Sequence, residues 1–153
     1  MDTRTETNSS GSVADRLATV LADTYTLMLK TQGYHWNVTG PAFKGLHDLF
    51  GAQYQSLHLA ADEVAERIRA LGRKAPASWA AFAERATIAE DVGAETAEAM
   101  VGALAADHAA LTRSARAAFE TAEEAGDQVS ADMMVGRITK HDKAAWMLRS
   151  SLG

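Results

Sequence analysis

The sequence predicts an all-α fold: a four-helix bundle with a short extra helix in a long crossover between its second and third long helices. Three observations lead there. Apolar residues recur at spacings of three, four and seven over four long stretches, as on a helix buried along one stripe. No stretch alternates apolar and polar residues with the period of a strand. Gly40-Pro41, Gly72 and Gly126 fall between the stretches, where chain breaks are needed.

Taken in order, residues 1–11 are polar and rich in Ser and Thr, and are expected to form a disordered tail ahead of a single domain over 12–153. Ser12, with Asp15 three positions on, fits the N-cap of a first helix over about 13–36, whose stripe is Leu17, Val20, Leu21, Leu27, Met28 and Tyr34. After Gly40-Pro41 a second helix carries Phe43, Leu46, Phe50, Tyr54, Leu57, Val64, Ile68 and Leu71 on one face and ends at Gly72. Residues 73–95 form the connection, and SWAAFAERA within it is long enough for one short helix. A crossover this long fits a bundle whose middle helices run parallel better than an up-down-up-down one. A third long helix over about 96–125 buries Met100, Leu104, Leu111, Ala115 and Phe119. Asp127 caps a fourth over about 128–151 with Met134, Ile138, Ala145 and Leu148 inward.

Composition narrows the function. With no cysteine there is no disulfide framework, zinc knuckle or thiol chemistry. No run is apolar for the ~18 residues of a membrane span, and the start lacks a signal-peptide core, so a cytoplasmic location is expected. The formal charge of −5, from 20 acidic and 15 basic residues, argues against binding a phosphate backbone. Arg4 stands alone in the N-terminal tail against Asp2 and Glu6.

The chemistry concentrates between His35 and Glu66, a stretch with three of the five histidines. Asp62 and Glu66 stand at i,i+4 and can offer two carboxylates to one cation. His47 lies 15 residues before Asp62 on the same helix, roughly 22 Å away at the α-helical rise. His47 and Asp62 of one chain therefore cannot share an ion. His35, just before the Gly-Pro connection, falls at the His47 end. Two such helices packed antiparallel about a twofold would bring each chain's histidines to the other's carboxylates, making two identical sites per dimer. A di-iron centre inside one bundle would instead need Glu-x-x-His on two helices, a motif absent from the sequence.

The pattern HWNVTGP..F..LH..F...Y.......D..AERI.ALG, from His35 to Gly72, together with KHDKAAWMLRS at 140–150, resembles the Dps family of ferritin-like mini-ferritins over about residues 13–151. The resemblance implies a ferritin-like bundle assembled from twofold dimers into a dodecameric shell. It also implies intersubunit ferroxidase centres, with His35 and His47 from one chain and Asp62 and Glu66 from its neighbour. The activity implied is oxidation of Fe²⁺ to Fe³⁺, preferably with hydrogen peroxide, and storage of ferric mineral. Where the family carries an acid one turn after the second histidine, this chain has Gly51, which offers no ligand. Two alternatives stand beside this reading: a nucleoid DNA-binding protein, which the charge disfavours, and a metal-binding shell that lost its oxidising competence with that acid.

Around these four ligands stand further candidates. Trp36 is an interface anchor or an electron donor beside the metal. Asp48 points about 100° away from His47 and is expected to face the shell's cavity or to pair with Lys44. Pairing His47 with Asp62 across a twofold puts His58 opposite Gly51, so His58 is expected either to reach toward the space left there and add a nitrogen to the site, or to pack at the interface. Glu63 and Arg67 are expected to pair on the surface, His108 and His141 to be satisfied core or interface histidines, and Glu123, Glu124, Asp127 and Asp132 to line an acidic cation path.

Overall fold

The structure, a computed structural model, describes residues 3–91 and 93–152, with side chains from 11 onward. Five helices follow one another: α1 (Thr3–Asn37), α2 (Phe43–Ala70), the short α3 (Trp79–Arg85), α4 (Ala97–Glu124) and α5 (Gln128–Ser150). No strand occurs among the described residues.

The starts and stops follow local chemistry. Ser78, Thr96 and Asp127 cap α3, α4 and α5, their side-chain oxygens accepting from the backbone N–H groups of Ala81, Ala99 and Ser130. At the end of α2, Gly72 takes φ +85°; its N–H donates to Arg69 O while that of Arg73 donates to Ile68 O, closing the last turn. The start of α1 departs from expectation. The helix runs back to Thr3 through residues read as a tail, and Ser12 caps nothing. No proline interrupts 3–12, and Gly11 leaves room for the Arg73 guanidinium, 2.7 Å from where a Cβ would stand, so the segment can continue as helix over the end of α2. Met1 and Asp2 lie outside the described residues.

Side-chain pairings fix the directions. His35 meets His47, Asp23 meets Ser114, Gln53 meets Ala144, and His108 meets His141, so α1–α2, α1–α4, α2–α5 and α4–α5 each run antiparallel. Helices α2 and α4 are therefore parallel, and the connection between them must return along the whole bundle, about 42 Å for a 28-residue helix. Asp23, buried in α1, ties it down: Oδ1 accepts from the backbone N–H of Thr87 and Ile88, and Oδ2 from the hydroxyls of Thr87 and Ser114. Further along, Lys30 donates to Ala89 O and pairs with Asp107, and the Tyr34 hydroxyl donates to Asp91. Burial, with Asp91 as second cause, raises the Tyr34 phenol well above its ordinary range.

Leu17, Leu21 and Leu27, Leu46, Phe50, Leu57 and Ile68, Leu104 and Leu111, and Met134 and Leu148 fill the core from the four long helices. Phe43, expected inward, is exposed, because it sits on the first turn of α2 and its ring lies against His47 instead. No helix among the described residues is long and apolar enough to cross a membrane.

Candidate metal centre

The five-residue connection 38–42 folds α2 back on α1 and puts His35 and His47 in contact. Each histidine hydrogen-bonds the other's backbone: His35 Nδ1–H donates to His47 O at 2.6 Å, and His47 Nδ1–H donates to His35 O at 2.7 Å. A carbonyl only accepts, so both rings carry a proton on Nδ1, and in that neutral tautomer Nε2 is the nitrogen left to accept a metal. The imidazoles stack with centroids 3.9 Å apart and planes 13° apart. Phe43 covers His47 at 5.1 Å, and Tyr54 stands 5.4 Å from His35. This is how metal-binding histidines are held: the second nitrogen is committed to a backbone carbonyl, which fixes tautomer and orientation.

Roughly three to five turns on from His47, His58, Asp62 and Glu66 form an exposed stripe on α2, and none of the three makes a hydrogen bond or ion pair among the described residues. His58 and Asp62 edge a groove floored by Tyr25, Trp79 and Phe82. Among the described residues no three His, Cys, Asp or Glu side chains converge on one point. The chain thus presents a locked histidine pair and, roughly 22 Å along α2, a row of unpartnered metal-ligand groups.

Several expectations change in detail. The space at Gly51 is not open: a Cβ there would stand 3.0 Å from both Cε1 and Nδ1 of His35, so the imidazole of the same chain already lies on that glycine. Arg67 does not pair with Glu63 but turns inward, its Nη2 2.9 Å from Asp127 Oδ1 and its Nε donating to Ser130. Asp127 is consequently neutralised inside the bundle, where Ser130 and Arg67 hold its carboxyl below the usual range against the opposing effect of burial. Asp48 pairs with Lys44 at 3.0 Å on the surface. Trp36 is 61 % exposed and faces the cleft between α1 and the crossover.

The contributions of Phe43, Tyr54 and Gly51 to the histidine pair were missed. Phe43 and Gly51 flank His47 at i−4 and i+4, a spacing visible in the sequence, but nothing local says that His35 lies between them.

A second histidine cluster is buried between α4 and α5. Arg137 Nη2 donates to His141 Nε2 at 3.1 Å, and the Nδ1 atoms of His141 and His108 lie 2.9 Å apart. Burial, with Arg137 as second cause, pushes His108 down to about 4 and depresses His141 further. These are core histidines, as expected, but His108 Nε2 is left without a partner.

Known proteins share this architecture. The family model for the ferritin-like domain matches residues 14–153. An uncharacterised low temperature-induced protein of Nostoc sp. is 41% identical over 132 residues, covering 85% of this chain and 74% of that one. DNA protection during starvation protein 2 of Bacillus anthracis is 36% identical over 132 residues, covering 86% and 90%. The crystal structure of Dps from Vibrio cholerae, described as a member of a broad superfamily of ferritin-like diiron-carboxylate proteins, superimposes with a TM-score of 0.91 at 31% identity, covering 96% of this chain and 92% of that one.

Proposed function

This chain belongs to the Dps family of ferritin-like proteins, which carries iron binding and storage with it, and on that premise we propose that it takes up Fe²⁺ at sites shared by two chains and stores it as ferric mineral. His35 and His47 of one subunit and Asp62 and Glu66 of its twofold mate hold the ion, with His58 of that mate beside them. The observation that carries this reading is the division of the ligands: two Nε2 lone pairs held ready at one end of α2, and free carboxylates at the other. A twofold with α2 antiparallel to its mate completes both sites at once. Trp36 and the aromatic floor beside Asp62 then lie at the same junction. Twelve subunits built from such dimers would enclose the mineral in the cytoplasm.

Imidazole nitrogen suits Fe²⁺, and carboxylate oxygen suits the harder Fe³⁺ product, so this mixed set lets an ion enter as one and leave as the other. The oxidant is hydrogen peroxide: one molecule takes an electron from each of two Fe²⁺ ions and, with two protons, becomes two waters. No hydroxyl radical is released. Iron is substrate and cargo here, and the protein detoxifies as much as it stores.

Subunit mixing tests the shared site. A His35→Ala/His47→Ala chain and an Asp62→Ala/Glu66→Ala chain should each be inactive in anaerobic Fe²⁺ loading followed by a peroxide pulse. In a mixed dimer one site receives all four ligands and the other none, so activity should return to as much as half of wild type per dimer. Mixed dimers, verified as such, that stay as inactive as either parent would mean that the ligands do not come from two chains.

A further inference from the structure

On a chain of formal charge −5, two arginines face one hollow with no acid to answer them. Arg16 on α1 and Arg113 on α4 are exposed, and neither makes a hydrogen bond or ion pair among the described residues. They line a groove of about 270 Å³ between the two helices, kept open by Ala110 and Ala117, one turn to either side on α4. A water takes up ~30 Å³, so a tetrahedral anion fits there with water to spare. We propose that this groove binds inorganic phosphate in a form that still carries a proton. It shares no residue with the groove that holds His58 and Asp62, so the site is separate from the metal centre.

The arginines set the charge of the ligand. A guanidinium only donates and stays charged, so two of them beside one hollow favour an oxyanion. Thr19, one turn from Arg16 on the same face, adds a hydroxyl that has no partner among the described residues. The rest of the polar lining selects among oxyanions. Thr87 of the crossover and Ser114 of α4 donate their hydroxyl protons to Asp23 Oδ2 at 2.7 and 2.6 Å. A hydroxyl has one proton to give, so toward the groove both oxygens can only accept. Two acceptors repel an anion unless it brings a donor of its own. Hydrogen phosphate does: its charged oxygens accept from Arg16, Arg113 and Thr19, and its P–OH donates to the Thr87 or Ser114 oxygen. Those two oxygens lie 3.4 Å apart, so a single P–OH is served by either. Sulfate at neutral pH has no proton to donate, and a phosphodiester has none. Asp23, fully buried behind the two hydroxyls and accepting from four donors, adds a negative charge that opposes such proton-free anions.

Calorimetric titration of the assembled, metal-free protein tests this at neutral pH and constant ionic strength, with chloride as the background anion. Inorganic phosphate, sulfate and dimethyl phosphate are compared. Phosphate should bind once per chain and the other two at least about 10-fold more weakly, although attraction by charge alone would favour sulfate. Arg16→Gln and Arg113→Gln each remove a charged donor from an exposed helical position, so both should fold as wild type does and lose about 10-fold or more in phosphate affinity. Phosphate should also raise the melting temperature of wild type but not that of the double arginine variant. Thr87→Val combined with Ser114→Ala removes both accepting oxygens. Loosening of the crossover would weaken phosphate and sulfate alike, whereas loss of the acceptors narrows the ratio of the two affinities, and the ratio is the readout. Phosphate that fails to bind wild type, or that binds the double arginine variant equally well, overturns the proposal. So does sulfate that binds wild type as tightly as phosphate, or a ratio that the loss of both oxygens leaves unchanged. Dimethyl phosphate binding as phosphate does would assign the groove to a nucleic-acid backbone instead.

Discussion

Arg137 decides where the protons sit on two buried histidines. A guanidinium only donates, so His141 must accept at Nε2 and carry its proton on Nδ1, which it donates to His108 Nδ1; the remaining proton of His108 is then on Nε2, where nothing accepts it. Adding a proton to either ring would place a second cation beside Arg137 in a buried site. Glu63 offers Arg137 only a distant opposing charge. The folded pKa of His108, about 4, lies below the ordinary 6.5, so between those values the unfolded chain binds more protons than the folded one, and stability falls as pH falls. Between pH 6.5 and 5, where most carboxylates stay ionised, each imidazole should remove about 2 kcal/mol. His108→Gln should roughly halve the slope of unfolding free energy against pH in that window, measured by urea denaturation. An unchanged slope would show that the pair does not titrate as described.

At the scale of elements, the cap at Asp127 and the turn at Gly72 were legible because each depends on residues within one turn of helix. The clamp on the crossover was not. Asp23 and Thr87 are 64 residues apart, and an aspartate on a helix carries no local sign that it will accept four hydrogen bonds from a returning strand of chain and a third helix. The candidate site divides the same way. The histidine pair and the carboxylate stripe could be read from helical spacing, whereas the contact between Gly51 and His35 needed the position of a ring on another helix. The clamp makes its own prediction. Asp23→Asn keeps the shape but turns one accepting oxygen into a donor facing other donors, which should cost on the order of 2–4 kcal/mol. Amide exchange should accelerate at Thr87 and Ile88 more than in the cores of α4 and α5. Unchanged exchange at those two amides would show that the crossover is held by its apolar contacts alone.

The whole molecule presents two surfaces to account for, one apolar and one charged. Trp36, Leu59 and Trp79 are 61 %, 70 % and 56 % exposed, a large apolar display for a lone subunit, and the first and last lie near the two half-sites. Burying them between copies leaves the charged surface to meet other macromolecules, and it is acidic, at −5 per chain. Some of the 15 basic side chains are also unavailable to a ligand: Arg67 is committed to Asp127, Lys30 to Asp107, and Arg137 is buried against His141. The buried histidines add no positive charge at neutral pH. Duplex DNA binding needs lysines and arginines that release condensed counterions, and the proposed shell, multiplying −5 by its copy number, would repel the phosphate backbone instead. Metal-free protein should therefore leave duplex DNA unretarded at ~0.15 M salt and neutral pH, whatever the DNA sequence. Lowering the salt lengthens the range of the repulsion, so binding should not emerge there either. Retardation that strengthens steeply as salt is lowered would require a basic surface built by the assembly itself, and would overturn the assignment of this chain's work to iron alone.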